Sequence, residues 1–252
     1  MTTKLPDPTI GDRILSFFGK KRAVFLPTNK RFSSKKVSII TRAYNRLEYT
    51  IRCVNSVREN TVHPNYEHII VNNNSSDGTE QWLSWIKGME NRWFDKVIPI
   101  HSDMNRHDFG GLVFGMNYIS SDSVYVVQLD NDIEVPKGWL QAMMTVIEKV
   151  DSKVVMLKRT GVQTILNPNK VKNIDGIKGG EINNSVACFM LRVDDFRSIM
   201  NNTRAASDIV GSLKTTCFKI TSMTCHQIEG WNGRTYIQHD KYQPSSKRIY
   251  QR

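Results

Sequence analysis

The sequence of 252 residues lacks long apolar runs and paired cysteines. No stretch approaches the roughly 20 apolar residues that a membrane-spanning helix needs. Residues 1–8 also lack the basic start and apolar centre of a secretory signal. The four cysteines form no CxxC pair and have no zinc-type spacing. We therefore expect a cytoplasmic protein whose cysteines are buried, reduced thiols.

Acidic residues are scarce at the two ends of the chain. Of the net charge of +11, residues 1–36 supply +7 and residues 241–252 supply +4, whereas the 22 basic and 22 acidic residues of 37–240 cancel. This predicts a basic N-terminal extension, a globular domain over 37–240 and a basic C-terminal tail. The ends are either solvated tails or contacts for a polyanion such as DNA or for a membrane surface. An apolar patch with a basic cluster at 14–22 either docks on the domain or lies at a membrane interface.

The pattern within the domain alternates between short β-branched runs and stretches of helical spacing. With 39% hydrophobic residues, the chain can supply a full core. Strands are predicted at 37–41, 66–71, 97–100 and from 124, with helices over 47–60, from near 80, and over 111–120. The remainder predicts a helix over 139–150, strands over 154–157, 186–191 and 218–226, a helix from 194 or 195 to about 201, and a mobile loop or hairpin over 167–184. This alternation predicts an α/β fold in which a mainly parallel sheet carries helices on both faces.

Two carboxylates end the fourth predicted strand, in the sequence Asp130-Asn131-Asp132. Open α/β sheets bind ligands outside the carboxyl ends of their strands. A carboxylate pair at that place can hold a hard divalent cation, which in turn can hold a diphosphate. The alternative is an acidic turn, because Asp and Asn are common turn residues.

Further motifs follow other predicted strands. A Tyr-Asn-Arg turn occupies 44–46, an Asn-rich loop that ends in Asp-Gly-Thr occupies 72–79, a Gly pair stands at 110–111, and Pro-x-Gly-Trp occupies 136–139. In this order, and together with the carboxylate pair, they resemble the family 2 glycosyltransferases of the Rossmann-like GT-A fold. The resemblance covers roughly residues 37–200. It implies a nucleotide-sugar half over about 37–135 and a smaller acceptor half over about 136–240.

The resemblance implies transfer of a sugar from a nucleoside-diphosphate donor, here a UDP-sugar, usually with inversion. It implies Mn²⁺ or Mg²⁺, a Lewis acid for the departing diphosphate, held by Asp132, Asp130 and His226. A lone His is also an ordinary structural residue, which is the alternative for His226. The positions that the resemblance implies for binding the nucleotide sugar are Thr41, Arg42, Ala43, Tyr44, Asn73, Asp77, Gly111, Asp130 and Asn131.

The sequence departs from the family pattern at two places. Arg42-Ala43 stands where the family usually has Pro-Thr, and Asn72-Asn73 stands where it usually has an acidic pair. An Asn side chain offers a carbonyl acceptor and an amide donor to a base, but no charge. The Asn run is therefore either a base-binding loop or a capped turn.

Direct displacement at the sugar carbon also requires a carboxylate that takes the proton of the acceptor hydroxyl. The resemblance implies a base beyond the sixth strand region, and Asp208 is the candidate there. The alternative for Asp208 is a helix cap. Asp194 and Asp195 are competing candidates that also suit a helix cap.

These interpretations predict a metal-dependent glycosyltransferase. Its basic ends suit either DNA, as in base-modifying transferases of phages, or an anionic or lipid-linked glycan as the acceptor. A second hypothesis is a non-catalytic sugar-nucleotide binder or scaffold with the same fold. The altered positions 42–43 and 72–73 support the second hypothesis, and the Asp-x-Asp motif argues against it.

Overall fold

The computed structural model describes residues 33–88, 94–160, 166, 171–182, 188–202 and 209–228. Its first part consists of strands β1 (Lys36–Ala43), β2 (Tyr66–Asn72), β3 (Val97–His101) and β4 (Ser123–Asp130), with helices α1 (Leu47–Asn60), α2 (Thr79–Gly88) and α3 (His107–Met116) between them. Its second part consists of β5 (Ile133–Glu134), α4 (Trp139–Ile147), β6 (Val154–Arg159), β7 (Val171–Ile174), β8 (Ile177–Ile182), β9 (Cys188–Arg192), α5 (Val193–Ile199), α6 (Ile209–Ser212) and β10 (Cys217–Gln227).

The described strands form one sheet in the order β3-β2-β1-β4-β9-β6-β10-β8-β7, and β5 pairs with the end of β10. The first four strands are parallel, as are β6 and β10. Strand β9 runs antiparallel between β4 and β6, and the β7–β8 hairpin adds an antiparallel edge. Because β4 and β6 both run antiparallel to β9, they point in the same direction. Their carboxyl ends therefore lie at the same edge of the sheet. The α/β fold predicted from the sequence is confirmed.

Helices cover both faces of the sheet, as the pattern predicted. On one face α1 and α4 bury the alternate residues Val37, Ile39, Tyr125 and Val127. On the other face α3, α5 and α6 bury Ile40, Val126 and their neighbours. Side chains of one strand therefore alternate between two separate cores, which fixes the face on which each polar residue of a strand end lies.

One helix begins earlier than its pattern predicted. The sequence predicted a helix over 111–120 after a glycine loop, whereas α3 spans His107–Met116 and contains the glycine pair. The glycines stand inside the helix because α3 packs closely against the sheet. A Cβ on Gly115 would lie 2.6 Å from Ile40 Cγ2, and one on Gly111 would lie 3.2 Å from Arg42 Cδ. Glycine weakens a helix by about 1 kcal/mol relative to alanine, and here it permits contact with the sheet.

The segment over 167–184, left open between a loop and a hairpin, contains the β7–β8 hairpin. Its turn residues Asp175 and Gly176 have φ angles of 51° and 87°, as a two-residue turn of this kind requires. Residues 1–32 and 229–252 lie outside the described residues, so the predicted domain boundaries at 36 and 240 stay predictions.

None of the helices in the described ranges is long and apolar enough to cross a bilayer.

Candidate active site at the carboxyl edge of the sheet

The carboxyl ends of β2, β1 and β4 bring several predicted site residues together. In the register of the sheet Arg42 lies beside Asp130 of β4 and beside Val71 of β2, and Ala43 lies beside Asn72. Parallel pairing aligns the strand ends, so the loops that follow them share one edge. This edge is where open α/β sheets bind their ligands.

Arg42 occupies the centre of this edge. Its guanidinium donates a hydrogen bond of 2.8 Å to Asp130 Oδ1 and forms an ion pair of 3.1 Å with Asp108 Oδ1 at the start of α3. Its stem passes close to Gly111, where there is no side chain to displace it. Only 13% of the side chain is exposed, and Nε is buried without a hydrogen-bond partner in the described part of the chain.

Asp130, one of the two predicted carboxylates, lies half-buried at the end of β4. Its Oδ1 also accepts a hydrogen bond from Gln128 Nε2, two residues earlier on the same face of the strand. The pKa of Asp130 is raised to about 6, and burial is the largest cause. The negative charges of Asp132 and Asp108 contribute to this rise, while Arg42 and the Gln128 hydrogen bond oppose it.

Asp132 lies closer to the second half of the molecule. Its side chain is 10% exposed, and its Oδ2 accepts a 3.2 Å hydrogen bond from Gln227 Nε2 at the end of β10 and lies 3.9 Å from Arg46 Nη1. The Asp132 main-chain oxygen accepts a 2.7 Å hydrogen bond from Ile228 N. The two carboxylates of the motif are therefore held by different parts of the chain.

The Asn-rich loop after β2 is bound within the protein. Asn73 donates from Nδ2 to Asn105 Oδ1 at 2.8 Å and accepts from Arg106 N at 2.9 Å, so it fixes the segment that leads into α3. Asn72 accepts from Ser75 N at 3.0 Å. These contacts agree with the capped-turn alternative, and a contact between Asn73 and a base stays a prediction.

Three other residues that were predicted to bind the nucleotide sugar, Asp77, Thr41 and Ala43, have structural roles. Asp77 accepts hydrogen bonds from Leu47 N at 2.7 Å and from Thr79 Oγ1 at 2.6 Å, so it caps the first turn of α1 and orders the entry to α2. Thr41 is fully buried and bonds His68 Nε2 at 2.8 Å. Ala43 is also fully buried, which leaves Thr41 and Ala43 no exposed side-chain surface for a nucleotide.

The remaining nucleotide positions lie at the edge itself. Tyr44 is half-buried in the turn before α1. Asn131, between the two carboxylates, donates from Nδ2 to Thr50 Oγ1 at 3.0 Å. Gly111 lies under Arg42 and beside Asn73, so the structure brings Arg42, Asn73, Gly111 and Asp130 into one group.

His226 lies on β10 in the pair His226↔Glu134. Its exposed ring bonds Thr160 Oγ1 through Nδ1 at 2.9 Å. In the described ranges no group of three or more His, Cys, Asp and Glu residues is close enough to hold a metal ion. The metal role of His226 stays a prediction.

Two carboxylates are nevertheless enough for a hard cation of this kind. Magnesium-type cations in enzymes are commonly held by one or two carboxylates and complete their coordination with water and substrate phosphates. Asp130 is 33% exposed and Asp132 is 10% exposed, and their carboxylates, each accepting one amide hydrogen bond, offer the oxygen atoms that such an ion takes. The residues present therefore fit a divalent cation.

The candidate bases separate in the fold. Asp208 lies outside the described residues, so its role stays a prediction. Asp194 and Asp195 lie in the first turn of α5, next to Arg192, which pairs with Tyr125 near the opposite end of β4 from Asp130. Asp195 forms an ion pair of 3.2 Å with Lys153. These contacts place the two competing candidates at the far edge of the sheet.

Sequence reasoning missed several polar residues that contact the two carboxylates or Arg42. The position of Gln128, two residues before Asp130 on the same strand, was a usable signal, because alternate residues share a face. Asp108 and Gln227 carry no local signal, since their contacts with Arg42 and Asp132 depend on long-range packing.

Comparison with known proteins identifies the class of this fold and site. The model of the family described as Glycosyl transferase family 2 matches residues 38–208, more than half of the chain. The chain belongs to this family of glycosyltransferases, which confirms the resemblance predicted from its motifs. No curated protein matches the chain significantly in sequence.

Solved structures share the fold at low identity. A structure of S. aureus TarS residues 1–349 aligns with a TM-score of 0.58 at 13% identity, over 77% of this chain and 60% of that one. TarS 1–349 in complex with UDP-GlcNAc aligns at 0.56 and 16% identity, over 77% and 59%. GalNAc-T7 with UDP, GalNAc and Mn²⁺ aligns at 0.64 and 14% identity, over 84% and 47%. This chain spans less than two thirds of the length of each, and the likeness shows the fold.

Proposed function

We propose that this protein transfers a sugar from a nucleoside-diphosphate donor to an acceptor hydroxyl. The observation that carries the proposal is the Asp130 and Asp132 pair at the carboxyl end of β4, beside Arg42 and the loop of Asn73, in a chain of glycosyl transferase family 2. The UDP and UDP-sugar complexes of the similar folds support uracil as the base of the donor. Inversion at the sugar carbon is part of the same proposal.

Asp130 and Asp132 would hold Mn²⁺ or Mg²⁺ in this proposal. When bound, the cation supplies a Lewis acid that stabilises negative charge on the diphosphate. The Mn²⁺ of GalNAc-T7 supports this cofactor. Gln128 and Gln227 orient the two carboxylates by donating hydrogen bonds to them, so the oxygens are fixed before a ligand arrives.

The remaining residues of the edge bind and orient the donor. Asn73 holds the start of α3 against β2, and Arg42 ties α3 to β4 through Asp108 and Asp130, so α3 is fixed beside the carboxylate pair. The guanidinium of Arg42 adds a fixed positive charge where the diphosphate charge develops. Asp208 is the proposed acceptor of the proton from the attacking hydroxyl.

The experiment is a measurement of nucleoside diphosphate release. The protein is incubated with Mn²⁺ and a panel of nucleotide sugars, together with Asp132→Asn and with Asp122→Asn, which removes an exposed carboxylate outside the pocket. We expect release with at least one donor, a fall of about a hundredfold or more in Asp132→Asn, and no change in Asp122→Asn. Chelation of Mn²⁺ should abolish release, and added Mn²⁺ should restore it.

One observation favours a second function, a sugar-nucleotide binder without turnover. Arg42 already neutralises Asp130 with a 2.8 Å charged hydrogen bond. In that case the protein binds UDP-sugars but releases no nucleoside diphosphate with any donor. The Asp132→Asn variant then gives the same result as the unaltered protein. The same measurement therefore separates the two functions.

A further inference from the structure

We propose that Lys158 and Lys219 form an anion-binding subsite on the acceptor side of the pocket, and that the acceptor carries a phosphodiester group near the hydroxyl that reacts. The inference rests on the proposed function, since it names the substrate class of the same site. It starts from cations at the sheet edge that the nucleotide-sugar assignment leaves without a role.

The register of the sheet places Lys158 level with Asp130. Gln128 of β4 and Met156 of β6 both pair with Phe189 of the intervening strand β9. Asp130 and Lys158 each lie two residues further toward the shared carboxyl edge. Two strand spacings separate them, which is about 10 Å.

The two lysines also lie on the same face of the sheet as Asp130. Residues Val126 and Met156 belong to the core under α3, α5 and α6, and so does Cys217 of β10. Asp130, Lys158 and Lys219 follow them at even spacing on their strands, so strand alternation directs all three to that face. Lys219 pairs with Met156, one strand beyond Lys158.

No described carboxylate forms an ion pair with Lys158, Arg159 or Lys219, and Arg159 Nε is buried without an acceptor in the described part of the chain. Lys219 is 4% exposed. Burial lowers the pKa of Lys219, and the nearby positive charges of Lys158 and Arg159 act in the same direction. An ammonium buried beside other cations is unfavourable unless an anion accompanies it.

The order of sites along the edge indicates which anion this is. Asn73 and Arg42 mark the nucleotide side on β2 and β1, and Asp130 marks the diphosphate on β4. Lys158 lies beyond β9, on the side away from the nucleotide, so the group that it meets belongs past the transferred sugar. A phosphodiester carries one negative charge on two oxygens, as a carboxylate does, but a phosphodiester chain repeats that charge along its length. Such a polyanion suits both this pair of lysines and the basic ends of the chain, which carry +7 and +4.

The test measures binding of phosphodiester probes while UDP and Mn²⁺ occupy the donor site. The probes are an oligodeoxythymidylate and poly(glycerol phosphate), with neutral dextran as the uncharged comparison. The variant is Lys158→Gln. The control is Lys87→Gln, an exposed lysine at the end of α2 that changes the net charge equally and leaves the basic ends as they are.

We expect Lys158→Gln to bind one of the two phosphodiester probes about tenfold more weakly, with a salt-dependence slope smaller by about one. The control should change the affinity by less than about twofold, and UDP binding should be the same in all three proteins. Preference for one probe separates a nucleic acid from a polyol phosphate as the source of the phosphodiester. Dextran should not bind through this subsite.

Three results would overturn the inference while leaving the proposed function intact. The first is equal binding of both probes by Lys158→Gln and the control. The second is a loss of UDP affinity in Lys158→Gln, which would assign the cation to the donor diphosphate. The third is a selective loss for UDP-glucuronate relative to UDP-glucose, which would assign it to a carboxylate of the donor sugar. If the unaltered protein binds no UDP, the proposed function itself fails.

A second variant tests the buried lysine independently. Lys219→Met keeps an unbranched stem of similar volume and removes the ammonium. Since no described carboxylate compensates the charge, we expect higher thermal stability together with weaker binding of the same probe. Lower stability with unchanged binding would show that Lys219 serves the fold and not a ligand.

Discussion

Arg42 joins β1 to β4 and to α3 through charged contacts at the carboxyl edge of the sheet. Its guanidinium contacts Asp130 on β4 and Asp108 on α3 from a largely buried position. In such surroundings a charged hydrogen bond is stronger than one at an open surface. Loss of one partner leaves the remaining charged group without a compensating charge. The residue that departs from the family pattern is thus part of the framework of the edge.

Replacement of Arg42 tests this role. We expect Arg42→Gln to lower the free energy of unfolding by roughly 1–2 kcal/mol, measured by urea denaturation. Arg52→Gln is the matched control, since its pair with Glu134 is about one-third exposed on both sides. The control should lose less than about 1 kcal/mol. Equal losses would mean that the Arg42 contacts are screened like surface ion pairs.

His68 makes stability depend on pH. The ring is 1% exposed, and burial lowers its pKa to about 3. Below pH 6.5 the unfolded chain binds a proton on this histidine and the folded protein does not, so stability falls as pH falls. Between pH 7.5 and pH 5 the expected loss from this residue is about 2 kcal/mol.

Unfolding measured at several pH values checks this expectation. His68→Gln should show a shallower fall of stability between pH 7.5 and pH 5 than the unaltered protein, whatever its stability at neutral pH. Burial also lowers the pKa of His63, but that effect is present in both proteins and cancels in the comparison. Parallel slopes for His68→Gln and the unaltered protein would contradict the assignment.

At the scale of elements, α3 lies unusually close to the sheet. A Cβ on Gly115 would lie 2.6 Å from Ile40 Cγ2 and 3.1 Å from Val71 Cγ2. Alanine favours helices by about 1 kcal/mol over glycine, whereas overpacking a core costs about 1–3 kcal/mol. Contact with β1 and β2 therefore outweighs helix propensity at this position.

Gly115→Ala should consequently destabilise the protein by about 1–2 kcal/mol in chemical denaturation. Gly88→Ala is the control, because a Cβ at the end of α2 meets nothing within 4 Å. The control should be neutral or slightly stabilising. If both variants are stabilised, α3 can move away from the sheet without loss, and the close packing is not required.

The elements show what the sequence could and could not predict. Runs such as 66–71 and the helical spacing of 47–60 predicted β2 and α1 well, because burial on one face leaves a period in the sequence. The start of α3 was missed, since its glycines resemble a loop unless Ile40 and Arg42 are known to lie against them. Asp130 was recognised as a strand end, whereas its pair with Arg42 and the pair of Arg42 with Asp108 depend on register and packing.

At the scale of the whole molecule, β10 connects the second part of the sheet to the carboxylate pair. The strand pairs with β6 and β8 along its first part, and its last residues pair with β5. From there Gln227 donates to Asp132 Oδ2 and Ile228 N donates to the Asp132 main-chain oxygen. The position of Asp132 therefore depends on the end of β10 through both a side-chain and a main-chain contact.

Gln227 tests this connection, because its amide is the side-chain part of the link. In Gln227→Leu the Asp132 carboxylate loses a hydrogen bond that orients it, and nucleoside diphosphate release should fall about tenfold, equivalent to about 1.4 kcal/mol. Stability should change by less than about 1 kcal/mol, since Gln227 is only half-buried. Ser222 also lies on β10, away from Asp132, and its Oγ accepts a hydrogen bond from Lys178 N of β8. Ser222→Ala removes this bond and should leave release unchanged. If the free energy of unfolding falls as much as the activation free energy rises, Gln227 is instead a support of the sheet. The link between β10 and Asp132 would then rest on the main-chain hydrogen bond from Ile228 N alone.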